Sequence, residues 1–361
     1  MEDLVELFCQ MVRISSESGE EEEFLRWLAG AWTEDLGAEC ERDQHGNLIA
    51  RLPARGSTAT PLLLCAHADT VRPGKGIEPV VENGVIRSAG DTVLGADDKA
   101  GILAIWRGAA AADPRPPLEL VVTRQEEVGL QGAKHLDFSR LRAKRAYVVD
   151  GDALDEVVVG GPSHFLIDVT VNGRAAHAGM EPEKGISAVK AAAKAIARLP
   201  EGRIDGQTTA NVGVVRGGEI RNGVPARATV QAECRSLDHR TAEQLAETYR
   251  ETFVQEAAAV GARAEVEVTL AYRAASLPPD EPVVGLARRA LESLGVTPHL
   301  KRICGGTDGS ILNMHGIRTA VLGMGARGAH TPDEHIRAED LKQTTELVRT
   351  LVQLAATAGQ P

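Results

Sequence analysis

The sequence lacks paired cysteines, a long apolar run and an excess of positive charge, and each absence removes a class of protein. Its five cysteines (Cys9, Cys40, Cys65, Cys234 and Cys304) are odd in number and far apart. They form neither a CxxC zinc motif nor a disulfide framework, and reduced thiols in a cytoplasmic protein are the simplest account. No stretch approaches the roughly 18 consecutive apolar residues of a membrane-spanning helix. The opening MEDLVELFCQMVRISSES shows no basic segment followed by an apolar one, so no secretory leader is expected. A formal net charge of −11 argues against nucleic acid or an anionic membrane surface as partner. Repeats and low-complexity segments are also missing.

What is present is an ordinary globular composition, 43% hydrophobic and 25% charged, in 361 residues. Single cores rarely grow past about 250–300 residues, so two domains are expected. The chain is organised around LLLCAHADTV, residues 62–71. Leu62 to Cys65 suit a strand buried on both faces of a mostly parallel sheet. His67 and Asp69 follow at the carboxyl end of that strand, where open α/β sheets bind ligands. A metal-binding imidazole usually has its second nitrogen held by a carboxylate, and Asp69 is placed for that task.

Residues 1–30 read as two helices, with Ser18 and Glu21 in capping-box spacing and Glu20–Glu23 as a solvated first turn. Residues 47–52 read as a short strand, and Asn83–Gly84 between apolar runs marks a hairpin. In GADDKAGILAIW, Asp97 and Asp98 open a helix; Asp98 reads as its N-cap. LELVVT (118–123) precedes Glu126–Glu127, AYVVD (146–150) ends in Asp150, and TAVLGMG (319–325) precedes His330. Ionisable residues thus recur at the exits of strands of one inferred sheet. Two histidines and several carboxylates without cysteine suit zinc, with cobalt or manganese able to substitute. A two-metal hydrolytic site needs a bridging ligand, terminal ligands and a base. His67 and Asp150 could serve one ion, Glu127 and His330 the other, and Asp97 could bridge. On an extended segment Glu126 and Glu127 would point to different sides, so either could bind metal while the other takes a proton.

The middle third changes pattern. Strands at 165–171, 210–215, 228–236 and 264–270 and helices at 185–199 and 241–260 run β-α-β-β-α-β, the ferredoxin-like order. Gly160–Gly161–Pro162 and Leu277–Pro278–Pro279 punctuate its borders. The expected architecture is an α/β domain over residues 1–161 and 278–361, a mostly parallel sheet flanked by helices, interrupted by an α+β domain over 162–277.

The motifs AHADT, GADDKAG, TRQEEVGLQGA, VVDGDA and GAHTPDE resemble those of the dizinc exopeptidase family that includes peptidase T, carboxypeptidase G and the aminoacylases. GADDKAG and CGGTDGS are closer to its peptidase T branch. The resemblance spans nearly the whole chain. It implies two zinc ions per chain held by His67, Asp97, Glu127, Asp150 and His330, with Asp97 bridging, Glu126 as general base and Asp69 orienting His67. It also implies that the inserted domain is a lid, able to mediate a homodimer. There His177 (GRAAHAG), Asn222 (RNGVPA) and Arg235 (AECRSLD) would approach substrate. A guanidinium fork suits a carboxylate, and a histidine donor suits a developing oxyanion. The expected activity is a zinc aminopeptidase on short peptides, tripeptidase-like. The alternatives are an N-acyl-amino-acid amidohydrolase or carboxypeptidase on the same metals, and a non-catalytic peptide- or metal-binding protein.

Overall fold

Aliphatic strands alternating with helices build the sheet that the sequence predicts. The computed structural model describes residues 2–357. Its main sheet runs in the order Glu39–Arg42, Leu48–Leu52, Leu118–Thr123, Leu62–His67, Arg145–Gly151, Arg318–Gly323, Glu156–Gly161, and His299–Arg302 pairs with Glu156–Gly161. The central strands are parallel: Leu62–His67 pairs with both Leu118–Thr123 and Arg145–Gly151, which in turn pairs with Arg318–Gly323. Antiparallel pairs flank them. Leu62–His67 and Leu118–Thr123 are buried at every position, as covered parallel strands require.

Several strands escape the sequence reading, three of them for local reasons. Glu39–Arg42 (ECER) and His299–Arg302 (HLKR) are short and polar. Glu156–Gly161 is apolar but ends in the glycine pair that reads as a domain border. Asn83 and Gly84, both left-handed (φ 52° and 76°), join Pro79–Glu82 to Val85–Ser88, the hairpin that NG announces.

The chain divides into two units. One holds the residues through Gly160, Ser276–Arg302 and the chain from Thr307 onward; the other holds Gly161–Ala275 and Ile303–Gly306. In the second unit four antiparallel strands stand in the order Thr208–Gly217, Arg227–Ser236, Ser163–Asn172, Arg263–Tyr272, with Gly202–Arg203 at the edge. Helices Ala188–Arg198 and His239–Ala259 bury an alanine-rich stripe, Tyr249 and Phe253 against the sheet. This is the predicted β-α-β-β-α-β order.

In the first unit, helix Ala96–Ala111 packs against strand Leu62–His67 and helix Ala338–Thr357. Gly101 lets it approach the sheet: a Cβ there would overlap the Val149 carbonyl oxygen and the Asp98 carboxylate. Gly30, inside helix Glu22–Leu36, has nothing within 4 Å of such a Cβ. Two glycine-to-alanine substitutions in helices should therefore differ in sign. Gly101→Ala should lower the urea midpoint by the equivalent of at least ~1–3 kcal/mol, the usual cost of overpacking. Gly30→Ala should raise it by ~0.5–1 kcal/mol.

Candidate metal centre

Three of the strand exits in the parallel sheet deliver His67, the Glu126–Glu127 pair and Asp150, and loops bring in Asp97 and His330. His67 is the last residue of its strand and is buried. Its Nδ1 lies 2.9 Å from the backbone oxygen of Asp69, with the Asp69 carboxylate farther off at 3.5 Å. The ring is therefore held first by the Asp69 carbonyl rather than by its side chain. With Nδ1–H donated there, Nε2 faces Asp97 Oδ1 at 3.0 Å and Asp150 Oδ1 at 3.6 Å. On the other side of Asp97, Oδ2 lies 3.3 Å from His330 Nε2, which is 2.9 Å from Glu127 Oε1. The two oxygens of Asp97 thus face two different histidines.

The donor set fits divalent cations. Ligand atoms of His67, Asp97 and Glu127 lie within 4.8 Å of one another, as do those of His67, Asp98 and Asp150. Glu127 Oε1 is buried without a hydrogen bond of acceptable geometry, although His330 Nε2 is near it. Two donors converging without alignment suit a shared cation better than a shared proton. Asp98 is a different case: Oδ1 accepts from Gly101 N (3.1 Å) and Oδ2 from His67 N (3.2 Å). It is the N-cap the sequence suggests, since Asp97 and Asp98 have non-helical dihedrals, and its second oxygen secures the His67 backbone.

Charge is concentrated here. Burial works against the His67 imidazolium, yet Asp150, Asp69 and Asp97 together push its pKa well above the ordinary value. Asp97 and Glu127 raise His330 to about 10, with burial opposing. Asp97 is buried, which opposes ionisation, but contacts with His330 and His67 hold it below the ordinary carboxylate range. Burial raises Asp150 to about 7, and Asp97 and Asp308 add to the shift. Burial likewise pushes Glu126 well above its usual range, with Asp150, Asp308 and Glu127 adding to it and His67 opposing. Crowded carboxylates and histidines of this kind titrate as a group, and a divalent cation would replace the protons that the histidines otherwise hold.

Glu126 and Glu127 lie on a tight turn, not on an extended segment. Gln125 is left-handed (φ 53°), and Gly129 N and Leu130 N both donate to Glu126 O. Glu126 is 9% exposed. The Asp69 carboxylate accepts from Glu126 N (2.8 Å) and Glu127 N (3.2 Å). Burial raises the Asp69 carboxyl, but contacts with His67, the Ser18 hydroxyl and Glu126 N–H outweigh it, and the group sits below its ordinary range.

Sequence reasoning missed several participants. Ser18 does not cap a helix: the helix begins at Glu22 with Glu21 as N-cap and no side-chain cap bond, and Ser18 Oγ donates to Asp69 Oδ2 at 2.7 Å. Glu21 is buried rather than solvated. Glu334 is buried and accepts from Gly95 N (2.7 Å) and Asp97 N (2.9 Å), tying the His330 loop to the Asp97 loop. Asp308 is buried, accepts from the Thr123 hydroxyl at 2.5 Å and leaves Oδ1 without a partner. Glu334 and Asp308 do lie inside quoted motifs, GAHTPDE and CGGTDGS, and that was the available signal.

In the second unit, His177 Nδ1 accepts from Gly179 N and Met180 N, both at 3.2 Å. That fixes the tautomer with the proton on Nε2 of an exposed ring. Asn222 O accepts from Ala178 N at 2.9 Å, so His177 and Asn222 lie on adjoining loops. Arg235 is not a free fork. Its Nε and Nη2 donate to Glu233 at 3.2 and 3.0 Å, and His164 Nε2 meets the same carboxylate at 2.7 Å.

Comparison with known proteins places this geometry. A crystal structure of aminopeptidase PepT from Bacillus cereus is 39% identical, with a TM-score of 0.89 and 98% of each chain covered. The chain belongs to the M20 peptidase family, in its peptidase T-like branch. A tripeptidase from Staphylococcus aureus is 32% identical with a TM-score of 0.91, over 99% of this chain and 98% of that one. Bacillus subtilis YqjE is 37% identical over 98% of both chains. The family model described as peptidase dimerisation domain matches residues 164–260, inside the second unit, and the model of peptidase family M28 matches 47–199. The peptidase T-like chain is accordingly a metal-dependent hydrolase of peptide bonds. Among the described residues no helix is long and apolar enough to cross a membrane.

Binding of a cation to this cluster should stabilise the fold. After exhaustive chelation the thermal midpoint should fall. Adding Zn²⁺, Co²⁺ or Mn²⁺ at 100 times its dissociation constant should restore about 2.7 kcal/mol per site. A midpoint indifferent to chelator and metal would remove the centre from the folded state's energetics.

Proposed function

We propose that this chain is a zinc-dependent aminopeptidase acting on short peptides, with tripeptides as the preferred class. The observation that carries the reading is the placement of Asp97 between two histidines, its oxygens 3.0 Å from His67 and 3.3 Å from His330. The solved relatives named aminopeptidase PepT and tripeptidase support the substrate class. In this reading His67 and Asp150 would hold one ion and Glu127 and His330 the other, with Asp97 available to both. When bound, two zinc ions, with cobalt or manganese as substitutes, would polarise the scissile carbonyl and acidify the attacking water.

The residues of the chain supply the rest. Glu126 has its backbone N–H anchored on Asp69, takes the proton of the attacking water and returns it to the leaving amine. Burial favours its protonated form, which suits a base that must hold a proton between the two steps. Asp69 holds the Glu126–Glu127 turn through its carboxylate and His67 through its carbonyl. In the second unit, His177 with its proton on Nε2 can donate to a developing oxyanion. Asn222 and Arg235 take polar groups of the peptide; Glu233 sets the direction of the Arg235 fork. The match of residues 164–260 to a peptidase dimerisation domain supports a homodimer formed through this unit, and the free cysteines suit a reducing, cytoplasmic setting.

Assay of tri-alanine, di-alanine, N-acetylated tri-alanine and N-acetyl amino acids decides the substrate class. Tri-alanine should be cleaved fastest and N-terminal blocking should abolish turnover. Preference for the acetylated amino acids would replace the aminopeptidase with an N-acyl amidohydrolase, and release of the C-terminal residue would indicate a carboxypeptidase.

Glu126→Gln and Glu127→Gln separate base from ligand. Glu126→Gln should retain two metal ions per chain and lose ~10²–10⁴-fold in turnover, the range of a missing general base. Glu127→Gln should weaken one metal site, so that part of its activity returns at high zinc. Metal stoichiometry alongside single-turnover rates reads both, and the opposite pattern would exchange the two roles.

A further inference from the structure

The turn bearing Glu126 has an unusual construction. Four consecutive backbone N–H groups donate to side chains: Arg124 N to Asn47 Oδ1 (3.1 Å), Gln125 N to Glu21 Oε1 (3.2 Å), Glu126 N to Asp69 Oδ1 (2.8 Å) and Glu127 N to Asp69 Oδ2 (3.2 Å). Asn47, Glu21 and Asp69 are all fully buried. The carbonyls of Arg124, Gln125 and Glu126 are held by the N–H groups of Gly129 to Gly132, and on the N–H side the turn is placed by those three acceptors.

Two of the acceptors are governed by the connector between the first two helices, residues 14–21. It runs beside the segment following His67: Thr70 N donates to Ser16 O (2.9 Å), Ser18 N to Thr70 O (3.2 Å) and Ser16 Oγ to Ala68 O (2.7 Å). Ser18 thereby reaches Asp69, its hydroxyl 2.7 Å from Oδ2, the oxygen that also accepts from Glu127 N. Glu21 occupies the other flank. Oε1 accepts from Gly19 N (2.7 Å) and Gln125 N, and Oε2 from Arg124 Nε (2.8 Å) and Nη2 (2.6 Å).

We propose that Ser18 and Glu21 are positioning residues for the peptidase reaction, Ser18 through Asp69 and Glu21 through the Gln125 backbone, which together set where the Glu126 carboxylate stands. Ser18 contributes the hydroxyl donor that keeps the Asp69 carboxylate in the one rotation that accepts from both glutamate N–H groups. Rotation of that carboxylate loosens the turn and moves the base while every metal-ligand side chain stays in the chain, and because Glu127 shares the turn, metal content is read beside the rate. A displacement of about 1 Å can cost as much as 10²-fold in rate.

The proposal rests on Glu126 being the base, and the test keeps the two apart. With tri-alanine as substrate, Ser18→Ala should lower kcat at least tenfold while KM and metal content stay within twofold of wild type. Ser18→Thr, which keeps the hydroxyl, should recover most of the loss. Ser15→Ala, in the same connector but bonded only to Gly76 N, should leave kcat unchanged. Should the alanine variant not fold, Ser18→Cys fills the same space with a weak donor and should show a several-fold kcat loss at unchanged KM. The decisive reading is a double-mutant cycle: in a Glu126→Gln background the Ser18→Ala loss should disappear, because the group being positioned is gone. An equal loss in both backgrounds, a wild-type kcat for Ser18→Ala, or a loss explained by missing metal would overturn the positioning role. If Glu126→Gln itself turns over normally, the assignment of the base fails instead.

Discussion

The structure depends on keeping mutually repelling carboxylates together in a buried space. Asp97, Glu127, Asp150, Glu126 and Asp308 converge around two histidines, and removing ionised carboxylates from water is costly unless each is paired or hydrogen-bonded. The protein manages this in two ways. Histidines stand against the oxygens that face the centre, where cations would take over the same electrostatic work. Outside the centre, a second set of buried carboxylates is satisfied entirely by the chain itself.

That second set explains how loops achieve the precision of a rigid element. Asp98 accepts from the His67 backbone, Asp69 from Glu126 and Glu127, and Glu334 from Gly95 and Asp97. Each is a carboxylate on one loop fastened to the backbone of another. Charge-assisted bonds to N–H groups are stronger than neutral ones, and they cross-link loops that a helix or sheet ladder cannot reach. The result is a closed chain of dependence: His67 leans on Asp98 and Asp69, Asp69 carries Glu126 and Glu127, Glu127 meets His330, and Glu334 returns from the His330 loop to Asp97. Moving one member displaces its neighbours.

This dependence also marks what was legible in the sequence. The parallel sheet could be read because its strands are continuous aliphatic runs, and the cluster because ionisable residues recur just beyond those runs. Asp98 as N-cap was equally local. Ser18 and Glu21 were not: SESGEEEEF satisfies every local rule for a capping box and a charged first turn, and only a partner more than fifty residues away redirects the serine to Asp69. Glu21 likewise finds Arg124 and Gln125 about a hundred residues on. The Glu126–Glu127 segment was read as extended because the left-handed conformation of Gln125 leaves no trace in a residue that seldom adopts it.

The same argument separates two kinds of acidic residue that composition cannot tell apart. A carboxylate whose two oxygens both accept from backbone donors, such as Asp98 or Glu334, fixes the geometry of the loops it joins. Glu127 differs: one of its oxygens is buried without a hydrogen bond from the described protein. Asp308 stands between the classes: Thr123 takes one oxygen, the other is unpartnered, and burial raises the group to about 6. At about 6 the group is mostly ionised at pH 7, and its charge, which raises both Glu126 and Asp150, adds to the repulsion that the histidines balance.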